Sequence, residues 1–164
     1  MDAYAMRASS SVRSRLDILK AVEQFRDHRV TPFLLKVLED PDEAEDVRVL
    51  ALQQLRCGVE QLNPLEKVQV ANALGNAMVE PSSPRLQVQA ALALGEFTEV
   101  EGVLRRLNAV CLVQNASIDL RYAAFTSLER AGPTPESVGL VRQMTGDEMP
   151  GRSARGVLSA WHVQ

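Results

Sequence analysis

Six carboxylates crowd between residues 39 and 46: Glu39, Asp40, Asp42, Glu43, Glu45 and Asp46. Oxygen ligands at that density suit a hard cation such as calcium. Counted from Asp40, however, a calcium loop needs an oxygen ligand in fifth place, glycine in sixth and glutamate in twelfth. Those places hold Ala44, Glu45 and Ala51, so calcium binding is disfavoured. The same carboxylates precede an apolar segment, where they would offset the positive end of a helix macrodipole. That structural role is expected, with attraction of a basic partner as the alternative.

The other residues capable of chemistry are scattered. His28 and His162 stand beside no carboxylate or cysteine grouping with metal-ligand spacing. His28 follows Arg26-Asp27 at an expected helix end, where an imidazole meets unpaired carbonyls. Cys57 and Cys111 lack CxxC spacing, and reduced thiols are the simplest account of them. Ser9 to Ser11 have no nucleophile-elbow context, and no glycine-rich phosphate loop is present. No catalytic residue, cofactor site or metal site is therefore expected.

The elements that would carry these residues are helical. The 164-residue chain is 46% hydrophobic and 24% charged, as in an ordinary globular domain. Aromatics make up only 4%, so the core must be built from Ala, Leu and Val. Asp40-Pro41-Asp42, Asn63-Pro64, Pro81-Ser82-Ser83-Pro84 and Gly132-Pro133-Thr134-Pro135 punctuate the chain where helices would stop or start. No stretch alternates apolar and polar residues with β-branched enrichment. The spacing predicts helices over 12–27, 31–39, 43–57, 63–79, 84–97, 100–113, 117–131, 135–145 and 151–163. Residues 1–11 read as a flexible leader, and 12–164 as one domain.

A recurring signature sets the register. Val47-Arg48 is followed by Ala51 and Leu55, Leu86-Gln87 by Ala90 and Leu94, and Leu120-Arg121 by Ala124 and Leu128. The starts, at 47, 86 and 120, are 39 and 34 residues apart, a period typical of arrayed helical pairs. Weaker copies begin at Val12-Arg13 and Ala154-Arg155, as terminal units with a single neighbour should. The units are a half repeat at 12–27 and pairs at 30–58, 62–97, 99–132 and 134–164.

The stretch Thr31-Pro32-Phe33-Leu34-Leu35-Lys36-Val37-Leu38, then Asp40-Pro41-Asp42, Val47-Arg48 and Ala51, resembles a HEAT repeat. The short bilin-lyase-like kind is most similar, and Leu86 to Gly95 resembles its second helix. The resemblance spans about Val30 to Gly132. It implies an all-α, right-handed α-solenoid of about four to five stacked hairpins, with second helices lining a concave surface. Only the first full copy has the turn aspartate that would pair with the helix arginine, Asp42 with Arg48. The positions six residues before Gln87, Arg121 and Arg155 are Pro81, Asn115 and Met149. A regular aspartate–arginine ladder is not expected, and stacking should rest on apolar contacts.

Register then separates core from opposite face, because each helical residue advances about 100°. Val49, Leu52, Gln53, Arg56, Val88, Leu92, Tyr122, Phe125 and Glu129 fall opposite the motif positions, an unusually apolar set for a solvated face. Either they line a protein-binding groove, or a helix with three neighbours buries them as core. Tyr122 is the best single candidate, since its hydroxyl suits a wet edge. Trp161 is expected to plug the last interhelical gap.

The leading expectation is a non-catalytic interaction or scaffold module binding a protein or peptide. A bilin-lyase-like accessory enzyme and a nucleic-acid binder are the alternatives. The net charge of −3 and pI near 5.5 argue against nucleic acid. Residues 1–80 carry 10 basic and 13 acidic residues, the remainder 8 and 8. No apolar run approaches the ~18 residues of a membrane span, and a cytoplasmic location is expected. The final helix ends with little polar cap, so the chain is expected to be part of a longer array or to pair there with a second copy or partner.

Overall fold

A computed structural model describes residues 11–24 and 29–163. Among the described residues there are nine α-helices and no strand: α1 (Val12–Val22), α2 (Val30–Glu39), α3 (Glu45–Cys57), α4 (Pro64–Met78), α5 (Pro84–Leu94), α6 (Val103–Leu112), α7 (Ile118–Glu129), α8 (Pro135–Met144) and α9 (Gly151–Ala160). Each falls within or beside an expected helix, and most stop short of the expected end. A 3₁₀ turn at Val59–Gln61 was not foreseen. The leader through residue 10, His28 and the end of the first expected helix lie outside the described residues.

Local chemistry explains the starts. Asn63 and Glu66 form a reciprocal capping box around Pro64, and Thr134 and Ser137 do the same around Pro135. The Ser11 and Ser117 hydroxyls accept from the Ser14 and Leu120 amides. Each satisfies amides that the first helical turn leaves unpaired. The last helix is closed by its own backbone instead of a polar side chain. His162 takes a left-handed φ of 55°, its amide donates to Ser159 and that of Val163 to Leu158. This is the Schellman arrangement, and it supplies the cap that the sequence alone does not reveal.

Packing alternates. The helices pair as α2–α3, α4–α5, α6–α7 and α8–α9. The second helices α1, α3, α5 and α7 also pack in sequence order, as do the first helices α2, α4, α6 and α8. No comparable contact joins α7 to α9. One core runs through the pairs, with Leu19, Leu38, Leu52, Leu74, Leu94, Leu107, Leu128 and Met144 buried within it.

Polar ties add to this apolar packing. Arg48 Nε donates to the Leu38 carbonyl at 2.8 Å and Arg121 Nε to Cys111 at 2.7 Å, while Arg155 reaches Thr145. Each arginine thus caps the first helix of its own pair. The remaining nitrogens of Arg48 and Arg121 face the turn after the next first helix: Arg48 binds Glu80 at 2.6 Å and Arg121 binds Asp147 at 2.9 Å. Arg15 makes the equivalent bridge to buried Glu43 at 3.0 Å. A ladder therefore exists, with its acid on the following pair. Arg48 is directed away from Asp42 by the carbonyl it caps, and the Asp42 amide closes the turn on Asp40 Oδ1 at 3.0 Å. The first helix also sits in a shifted register, with Arg15, Leu19 and Val22 facing inward while Val12 and Arg13 are exposed.

Candidate functional site

The second helices carry the expected binding residues, and packing divides them. Val49, Leu52 and Phe125 are only 2%, 1% and 5% exposed and belong to the core. A stripe across all three helices is therefore interrupted, because α3 and α7 bury these flanks against neighbours that periodicity within one helix does not register. Val88 and Leu92 are half-buried, whereas Gln53, Tyr122 and Glu129 are exposed. Arg56 leans on Glu96 at 3.2 Å, and Arg130 reaches the same carboxylate at 2.8 Å. Glu96 thereby ties α3 to α7 across the end of α5.

What survives is an open groove between α5 and α7. Val88, Leu92 and Ala123 give apolar contact, with Pro84, Arg85, Gln89, Ser117, Asp119, Tyr122 and Thr126 around them. Its volume is about 620 Å³. Close approach of the two helices makes it shallow: the Ser127 hydroxyl donates to the Leu92 carbonyl at 3.3 Å, beside the small residues Ala90, Ala91 and Ala124. Tyr122 stands 46% exposed at its edge, and Ile118, one turn earlier on α7, is 64% exposed. Ile118 escaped sequence reasoning because it opens the helix, outside the signature, although its spacing of four from Tyr122 places both on one face.

A second depression lies between α2 and α4, bounded by Pro32, Leu35, Lys36, Glu39, Asp40, Gln69 and Asn72. Five of its seven lining residues are polar or charged, and none is aromatic. The acidic cluster beside it is engaged in structure. Glu43 bridges to Arg15, Glu45 accepts from the Leu86 amide at 3.3 Å, and Asp46 pairs with Arg85. These last two contacts join the start of α3 to the start of α5. Among the described residues, no three of His, Cys, Asp and Glu come together as metal ligands would.

Of the carboxylates that bridge to these arginines, Glu80 and Asp147 titrate below the usual range. Glu80 is held down by its hydrogen bond from Arg48, and Asp147 by the Met149 amide and then by Arg121, with burial opposing in both. Burial pushes the Cys111 thiol up to about 12, against the pull of Arg121. None of these groups lines the α5–α7 groove: Glu80 and Asp147 belong to the bridges between pairs, and Cys111 lies within the α6–α7 pair. Arg105 is turned to Glu136 at 3.1 Å. Trp161 is partly buried and packs against the core.

No protein family, curated protein or solved structure matches this chain. Among the described residues, no helix is long and apolar enough to cross a membrane.

Proposed function

We propose that this chain is a HEAT-like, right-handed α-solenoid that works as a non-catalytic interaction module, receiving a protein segment along the α5–α7 groove. The observation that carries the reading is Tyr122, an aromatic side chain held 46% exposed at the edge of a groove floored by Val88 and Leu92. Aromatic anchors beside small apolar floors are where binding energy concentrates, and truncating such a hot spot to alanine costs about 2 kcal/mol or more of affinity. Ile118 widens the apolar contact. Asp119 and the Tyr122 and Thr126 hydroxyls supply polar groups that fix the orientation of a bound segment.

The reading narrows the expected nine-residue face to Val88, Leu92 and Tyr122; Gln53 and Glu129 are exposed but do not line the groove. The test is a photo-crosslinking residue in place of Tyr122, compared in cells with the same residue in place of exposed Lys36 on α2. A discrete adduct from position 122 alone, suppressed by Leu92→Glu in a protein that keeps its helical circular dichroism, is the expected result. Equal adducts from both positions, or none from 122, overturn it.

A further inference from the structure

We propose that the junction between α4–α5 and α6–α7 is a hinge, where the two parts of the chain tilt about the α5–α7 contact and change the spacing of α4 and α6. The bridge that locks the other junctions is missing there. Arg15, Arg48 and Arg121 each reach a carboxylate in the turn after the next first helix. On α5 the corresponding residue is Gln87, and the turn after α6 reads Val113-Gln114-Asn115. Arginine and acid are thus lost together, so no charge is left buried and unpaired, an arrangement that would be costly.

Packing at this junction is one-sided in the same sense. Among consecutive first helices, α4 and α6 make the sparsest contact, whereas α5 and α7 make the closest contact between successive second helices. Gly95 brings the α5 end so near α7 that an added Cβ would lie 2.9 Å from Ser127 Oγ. Across the opposite gap, the long Arg106 side chain fills the space over Gly75, with its guanidinium where a Cβ would stand. A flexible, exposed arginine resists a change in helix spacing far less than interlocked apolar side chains do. The tight second-helix contact is the pivot and the α4–α6 gap is the side that moves.

Pulsed electron-spin distance measurements test this on the full chain, with exposed Cys57 changed to serine. Labels on Gln69→Cys and Ala109→Cys span α4 to α6, and labels on Lys36→Cys and Gln69→Cys span α2 to α4 for comparison. The α4–α6 distribution is expected to be the broader. Gln87→Arg with Gln114→Glu should narrow it to the width of the α2–α4 pair. In the converse experiment, Arg48→Gln with Glu80→Gln should broaden the α2–α4 distribution to that of α4–α6, in a protein whose circular dichroism shows it folded. Equal widths in the parent protein overturn the hinge. Unequal widths that do not respond to removal of the Arg48–Glu80 bridge overturn the bridge as its cause.

Discussion

The two cysteines show how one residue type acquires opposite properties from its surroundings. Cys57 ends α3 and is exposed, whereas Cys111 is buried near the end of α6, its sulfur 3.7 Å from the Arg121 carbonyl. Thiol reactivity requires the thiolate, and a thiol pushed up to about 12 offers almost none near neutrality. At about pH 8 an aromatic disulfide reagent should therefore titrate Cys57 alone in native protein, and both cysteines after denaturation. Rapid modification of both in the native state would contradict the burial of Cys111. Tyr122 and Phe125 make the same point without chemistry. They sit three residues apart on α7 and differ from 46% to 5% exposed, since one faces the groove edge and the other is covered.

At the scale of the element, the small residues matter most where two helices approach. Gly95 ends α5 with Ser127 Oγ and Arg130 Cδ at 2.9 and 3.2 Å from an ideal Cβ. Gly156 lies within α9, and a Cβ there would meet nothing within 4 Å. Gly95→Val should cost about 1–3 kcal/mol by forcing α5 and α7 apart. Gly156→Ala should stabilise by about 1 kcal/mol, because it only restricts the unfolded chain and improves helix propensity. Urea unfolding midpoints should accordingly move in opposite directions. A harmless Gly95→Val would mean that α5 and α7 have room to separate, which would also remove the pivot of the proposed hinge.

Across the whole molecule, the arginine bridges make cohesion depend on pH. Glu80 and Asp147 both titrate below the ordinary carboxylate range in the folded protein. A lowered folded value means the unfolded chain binds protons first as pH falls, so the stabilisation is complete above the unfolded value of about 4. It declines as pH drops further through the folded values. Urea midpoints should be nearly flat with respect to these two groups from neutrality down to about pH 5 and then fall, with a shallower acid limb in Arg48→Met with Glu80→Gln. An unchanged acid limb in that double variant would show that Glu80 contributes nothing to the pH dependence.

The helices, their order and the inward motif positions of α3, α5 and α7 were determined by the sequence itself, because proline punctuation, capping residues and 3.6-residue periodicity act within one helix. The starts at Pro64, Pro84 and Pro135 and the buried Ala51, Ala90 and Ala124 were legible on that basis. The site was legible only in part. Tyr122, Val88 and Leu92 line the α5–α7 groove, while Val49, Leu52 and Phe125 are core. Only tertiary structure could decide that, since exposure on a second helix depends on the adjoining pairs. The same holds for Arg48, whose acid stands 32 residues later at Glu80 instead of six residues earlier at Asp42. Which carboxylate a long, flexible arginine meets is set by where the next pair places its turn, and no local spacing encodes that distance.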